Sequence, residues 1–408
     1  TRAQLRALLD PSGHNAVHQV VWEHEVASDG ALSDTPQVMV VSATGEAPDT
    51  WPEAADKLGA KLTPYAMDTD FASALTSESF QRVVFVGDAA ASDEASYGAL
   101  LSLVQALMAQ SLESRPKLWI CTRDTQKVLA DDDVLGYRQA GLWGVARVLG
   151  LEMPGVLAGV MDLDAMGEGD EVMGEVLRLD ANADQVAFRK GKRHIPALVQ
   201  AKAHEGTAFS VDTAGAHLIT GGMGALGQIF AKWLIERGAS CIILSGRRPR
   251  DSDVDKVIQE LHCDSARVEY VQADLADPSD AFRLIERIEK RHGSVVGIVH
   301  AAGVLDDGMM LTQTWDRFAK VMGPKVQGTE YLLAAAEELS LQYLVLCSSV
   351  VSVLGSPGQS NYGAANAVMD ALAHHFCSQG QKCVSVNWGP WAAGGMATEV
   401  DASTVSAW

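Results

Sequence analysis

Short apolar, β-rich runs alternate with stretches of helical period along the whole chain, and that alternation predicts parallel sheets covered by helices. In the first half the strand-like runs are 18–26, 37–41, 82–86, 117–122 and 160–163. A final pair, 185–189 and 194–199, flanks Lys190-Gly191-Lys192 and reads as a hairpin. Between them 96–110 and 142–151 have helical spacing, and the second is apolar on most sides, so it belongs inside. In the second half the runs are 216–220, 241–244, 268–272, 295–299, 343–346 and 383–387. Residues 311–339 read as one long helical region carrying Lys325, distorted at Pro324. Large apolar side chains thin out over 201–215, which marks a boundary between two α/β Rossmann-like subdomains, 1–212 and 213–408.

A chain of 408 residues is too long for one typical core, in keeping with that division. Its net charge of −20 repels phosphate backbones and argues against a nucleic-acid partner. No apolar run is long enough to span a bilayer, and no signal-peptide pattern opens the sequence. The six cysteines are scattered, without C-x-x-C or a ligand-like pairing with histidine, so no metal site is expected and a reducing, cytoplasmic setting is. The basic cluster Arg189, Lys190, Lys192 and Arg193 reads as a solvated hairpin turn.

The two halves differ in chemistry. After the run 37–41 comes Ser42-Ala43-Thr44-Gly45-Glu46, with one glycine and an acid, so the first half lacks the glycines a pyrophosphate needs and is read as structural. After 216–220 comes Gly221-Gly222-Met223-Gly224-Ala225-Leu226-Gly227, in which Gly222, Gly224 and Gly227 fit G-x-G-x-x-G between a strand and a helix. The next strand ends in Ser245-Gly246-Arg247-Arg248. An NAD site carries an acid there, whereas arginine accommodates a 2′-phosphate, so the sequence favours NADPH. Asp274-Leu275 follows the third strand, placed to meet an adenine amino group. The fourth ends in His300-Ala301-Ala302-Gly303, small enough for a nicotinamide ribose to approach.

The run 343–346 leads through Cys347-Ser348-Ser349 and a Gly/Pro/Ser loop to an Ala-rich helix carrying Tyr362 and Asn366. A strand end and the first turn of the next helix bring Ser349 and Tyr362 to one point above a sheet. There Ser349 holds a carbonyl oxygen and Tyr362 gives it a proton.

These stretches make the second half resemble the short-chain dehydrogenase/reductase superfamily, and within it the ketoreductase domains of modular polyketide synthases. The resemblance rests on Thr220 to Gly227, His300 to Gly303, Ser348-Ser349, Gly355 to Gln359, Tyr362 to Asn366 and Asn387 to Trp391. The first half resembles the truncated structural subdomain that precedes such domains, most plainly over Leu142 to Val148 and Leu151-Glu152. The resemblance implies cofactor contacts from Thr220, Gly222, Met223, Gly224, Leu226, Gly227, Ser245, Arg247, Arg248, Asp274, Leu275, His300, Ala301, Ala302 and Gly303. Ordinary short-chain reductases carry Tyr-x-x-x-Lys, but position 366 is Asn. In polyketide ketoreductases the lysine and asparagine exchange places, which makes Lys325 the relocated lysine. It is expected to lower the Tyr362 pKa, with Asn366 supporting the lysine or a proton-relaying water. The implied substrate is a β-ketoacyl thioester tethered by phosphopantetheine to an acyl carrier protein, among neighbouring synthase domains.

The resemblance also implies a stereochemical type. Leu305-Asp306-Asp307 is the mark of B-type domains, Leu354 stands where A-type domains carry Trp, and Pro357 and Asn361 agree. Ala364 replaces the proline of epimerising relatives, so a D-configured alcohol without inversion at the α-carbon is expected. Rival readings are the equivalent domain of an animal-type fatty acid synthase, an inactive scaffold domain, and a sugar-nucleotide epimerase, the last disfavoured by Asn366. The family continues past Trp391 through a lid helix and a last strand, for which only 392–408 remain.

Overall fold

The computed structural model describes residues 17–26, 36–164, 169–178, 184–201 and 210–390. Trp391, the expected lid segment after it, and much of the expected boundary region lie outside the described residues.

Eight strands form the first sheet: β1 (His18–His24), β2 (Gln37–Ser42), β3 (Lys61–Ala66), β4 (Arg82–Val86), β5 (Lys117–Arg123), β6 (Leu157–Leu163), β7 (Gln185–Arg189) and β8 (Lys192–Gln200). Their order is β1-β8-β7-β6-β5-β4-β2-β3. Strands β2 to β7 pair in parallel, and the β7–β8 hairpin and β1 add an antiparallel edge. Lys190 and Gly191 both take positive φ, 52° and 71°, the backbone a two-residue hairpin turn demands. Strand β3 is not evident from the sequence because Pro64 interrupts its pattern. Among the described residues it forms an edge, paired only with β2, where proline's missing N–H is tolerated.

The second sheet is all parallel: β9 (Ala216–Thr220), β10 (Cys241–Gly246), β11 (Arg267–Gln272), β12 (Val295–His300), β13 (Tyr343–Ser349) and β14 (Cys383–Trp388), in the order β11-β10-β9-β12-β13-β14. This is the doubly wound Rossmann order. The chain reverses direction at β9, leaving a crevice outside the carboxyl ends of β9 and β12. Among the described residues no helix is long and apolar enough to cross a membrane.

The long helical region expected over 311–339 is broken. An α-helix runs Trp315–Met322, a π-helical turn Gly323–Gln327 follows, and α-helix resumes at Gly328–Ala335. A proline inside a regular α-helix clashes with the carbonyl four residues earlier, and the wider π turn accommodates Pro324 while burying it. The same turn points Lys325 inward.

The two halves share a core. The Ala140–Glu152 helix, expected to be buried, packs along the Ser360–Ser378 helix. Leu142, Val145 and Leu149 join Phe318, Val351, Tyr362 and Val368 in one apolar cluster. The basic hairpin is only half solvated. Arg189 is buried against Asp132 and Asp162, at 2.9 and 2.5 Å, and Arg193 against Glu175 and Glu25, both at 3.0 Å. Buried guanidinium groups need such partners, and these acids come from segments far away in the chain.

Candidate active site

At the carboxyl ends of β9, β10, β12 and β13 lies a cavity of about 730 Å³. Thr220, Met223, Gly224, Leu226 and Gly227 form one wall of it. The glycines are required one by one. Gly221 sits at φ +65°, and a Cβ there would stand 2.5 Å from the Ala301 carbonyl oxygen. A Cβ on Gly222 would meet Leu244 Cβ at 2.8 Å, and one on Gly227 would meet the Gly221 oxygen at 2.6 Å. Gly222 therefore packs the loop from beneath without lining the cavity. Gly224 caps the Ala225–Glu236 helix, whose N-terminus thus opens on the cavity, an arrangement suited to a pyrophosphate. Gly221 was missed in the sequence, although the Gly221-Gly222 doublet was its signal.

Ser245, Arg247 and Arg248 line the far end. Arg248 is paired with Asp251 at 3.1 Å, whereas Arg247 is exposed and has no ion-pair partner among the described residues. Asp274 and Leu275 also reach the cavity. His300 does not. It is fully buried beneath the loop, shares a 2.7 Å hydrogen bond between Nδ1 and Thr220 Oγ1, and is held neutral by burial, its pKa pushed down to about 3. It ties the ends of β9 and β12 together, while Ala301, Ala302 and Gly303 provide the cavity surface. A Cβ on Gly303 would come within 2.9 Å of Lys325 Cε, so glycine there gives the lysine its room.

The remaining wall gathers Ser349, Tyr362 and Lys325. Ser349 ends β13, and Tyr362 stands in the first turn of the Ser360–Ser378 helix, where Asn361 Oδ1 accepts its backbone N–H at 2.7 Å. Lys325 Nζ donates to the Cys347 carbonyl at 3.1 Å and lies 5.3 Å from the Tyr362 ring centroid. Burial lowers the lysine to about 8. Contrary to expectation, the Tyr362 pKa goes up, to about 12. Burial outweighs the opposing hydrogen bonds of Asn366 and Ser349. Asn366 donates through Nδ2 to the Tyr362 carbonyl at 2.8 Å, and its Oδ1 is buried without a hydrogen-bond partner among the described residues.

Leu305 and Asp307 line the cavity, as do Pro357 and Gln359 opposite them. Gln359 Nε2 donates to Asp307 Oδ2 at 2.9 Å, and Asn361 Nδ2 donates to the Asp306 carbonyl at 2.7 Å. Asp306 faces away and binds Arg317 and Lys320 at 2.8 and 2.7 Å, cations that hold its carboxyl below the usual range. Leu354 is half-buried off the cavity; Val351, one turn earlier, lines it instead. Gln359 and Val351 were not singled out in the sequence, since an amide and a valine carry no chemical signature of their own.

Residues 215–393 match the family model described as KR domain, and residues 18–198 match the Rossmann fold domain of the polyketide synthase extender module SpnB. The chain is 38% identical over 313 residues to polyketide synthase GfsB of Streptomyces halstedii, covering 73% of this chain and 6% of that protein. It is 37% identical over 305 residues to polyketide synthase GfsA of the same organism, covering 73% and 4%. It therefore spans less than a tenth of either relative. Among solved structures it resembles A-type ketoreductases from a modular polyketide synthase, with a TM-score of 0.83 at 27% identity over 96% of this chain and 86% of that one. The first ketoreductase of the tylosin polyketide synthase follows at a TM-score of 0.80 and 27% identity, over 95% and 85%.

Proposed function

Because the chain belongs to the ketoreductase (KR) domains of modular polyketide synthases, which are oxidoreductases, we propose that it reduces a β-ketoacyl thioester, held on an acyl carrier protein, at the expense of NADPH. The observation that carries this reading is the meeting of Ser349, Tyr362 and Lys325 on one wall of a cavity whose other wall is the glycine loop. A nicotinamide cofactor bound along that loop supplies the hydride. Gly221, Gly224 and the helix they open would hold its pyrophosphate, and Arg247 and Arg248 its 2′-phosphate.

The protein's own part is to hold one oxygen and deliver one proton. Ser349 donates a hydrogen bond to the substrate carbonyl, and Tyr362 protonates the same oxygen as it gains alkoxide character. A phenol raised to about 12 is fully protonated at neutral pH, the form a donor needs. Lys325, still mostly cationic at neutral pH, stabilises the phenolate left behind, and Asn366 offers its free Oδ1 to the group that returns the proton.

The configuration follows from the wall built by Leu305, Asp307, Pro357 and Gln359, which fixes the side from which the tethered chain enters. The Leu305-Asp306-Asp307 loop, with no Trp in the 354–359 stretch, supports a D-configured product, although the solved structures that this fold resembles include A-type domains. The acidic surface charge and the six unpaired cysteines fit a cytoplasmic site of action beside other synthase domains.

The test is NADPH consumption with a panel of β-ketoacyl thioesters, with and without an α-methyl group, followed by chiral chromatography of the alcohols. NADPH-dependent turnover to the D alcohol is expected. No turnover with any member overturns the activity, and an L alcohol from carrier-bound substrate overturns the stereochemical type.

A further inference from the structure

The two loops that form the substrate wall hang on a carboxylate from the other half of the chain. Glu152, last residue of the Ala140–Glu152 helix, accepts the Gly358 N–H on Oε1 and the Met310 N–H on Oε2, each at 2.7 Å. The loops also meet directly, Gly308 N–H donating to the Gly358 carbonyl at 2.7 Å. Gly358 holds φ +83°, next to the cavity-lining Pro357 and Gln359, and the 308–310 segment continues from Leu305 and Asp307. Gln105, also from the first half, adds a weaker hold through Nε2 on the Met310 and Gln313 carbonyls at 3.4 and 3.3 Å. Hydrogen bonds to an ionised acceptor are the strong kind, and one carboxylate receiving two backbone amides fixes both segments at a common point.

Resting on the function proposed above, we propose that Glu152 is a positioning residue for substrate. By bracketing the loops at 305–313 and 355–361 from behind, it sets the width of the substrate wall and thereby the selectivity of the reduction. Among the described residues its side-chain hydrogen bonds go to Met310 and Gly358, not to the cofactor loop or Tyr362. Its loss loosens the grip on the acyl chain and leaves the reacting groups in place.

The test compares Glu152→Ala, which deletes both acceptors, with Glu152→Gln, which keeps one oxygen and turns an NH₂ on the second amide. Hydrogen exchange in the segments 305–313 and 355–361 is expected to rise roughly 10-fold or more in Glu152→Ala, the scale of losing a charge-assisted bond, with β9 to β12 unchanged. KM for the thioester rises more than kcat falls, the ratio of alcohol configurations erodes, and NADPH affinity is unchanged. Glu152→Gln lies between and carries the test should the alanine variant fail to fold. A merely structural role would lower the melting temperature and turnover while leaving the product ratio intact, and that result overturns the proposal. So does unchanged exchange in either segment. Absence of turnover in the unsubstituted protein overturns the functional reading and its consequence for selectivity, while the exchange measurement still decides whether the bracket exists.

Discussion

Gly144 and Gly363 face each other where the Ala140–Glu152 and Ser360–Ser378 helices cross, and a Cβ on Gly144 would stand 2.3 Å from the Gly363 carbonyl oxygen. Gly363 immediately follows Tyr362, so the closeness of this crossing sets where the tyrosine stands. Gly144→Ala must push backbone from backbone. Overpacking of this kind costs roughly 1–3 kcal/mol, and turnover is expected to fall further than the loss of folded protein explains. Gly98→Ala, in a helix with nothing within 4 Å of the new Cβ, is the control and is expected to be neutral or stabilising. Thermal unfolding and steady-state turnover of both variants decide it; wild-type behaviour of Gly144→Ala refutes the link.

Tyr362→Phe keeps the ring in the shared apolar core and deletes the hydroxyl proposed as proton donor. Reduction should fall by roughly 10²–10⁴ while NADPH affinity changes little. Turnover near that of the unsubstituted protein would assign protonation to another group.

On the proposed function, cofactor choice would depend on Arg247 and Arg248. With both replaced by alanine, the preference for NADPH over NADH in kcat/KM should drop roughly 10–100-fold, the worth of one or two charge-assisted contacts. Because the guanidinium groups are exposed, the preference should also weaken as salt rises. Equal kcat/KM for the two cofactors in the unsubstituted protein would remove the basis of this prediction.

Lys325 makes stability depend on alkaline pH. Its folded pKa is about 8, below the unfolded reference of 10.5, so between these values the unfolded chain binds more protons and stability rises with pH. Below about 8 the cost of the buried cation is present in full, on the order of 3 kcal/mol. Lys325→Met should therefore raise the melting temperature at pH 7, with the gain shrinking by pH 10, while turnover collapses. A gain that is the same at both pH values would show that the lysine is not a strained cation.

Much of this was legible because the chemistry is local. The glycine loop, the arginine pair and the spacing from Ser349 to Tyr362 each lie within one strand–turn–helix unit, where residue type dictates backbone. What escaped depends on partners distant in the chain. Arg189 and Arg193 look like surface charges until Asp162 and Glu175 arrive from other segments. The distortion expected at Pro324 takes the form of a π turn that brings Lys325 to the Cys347 carbonyl, a reach that no helical periodicity records. His300 sits in a cofactor-like motif but serves the sheet, since its neighbour across β9, Thr220, claims it. Glu152 gives no sign of its reach to Met310 and Gly358, more than 150 positions onward.

The shared apolar cluster limits how this chain can be cut and joined. A truncation between β8 and β9 would strip Leu142, Trp143 and Leu149 from the helix that carries Tyr362 and leave its apolar flank in water. Each sheet has its own topology, but neither owns the core between them. Recombination that moves this chain into a different protein would have to transplant both sheets as one cassette, with junctions outside the pair.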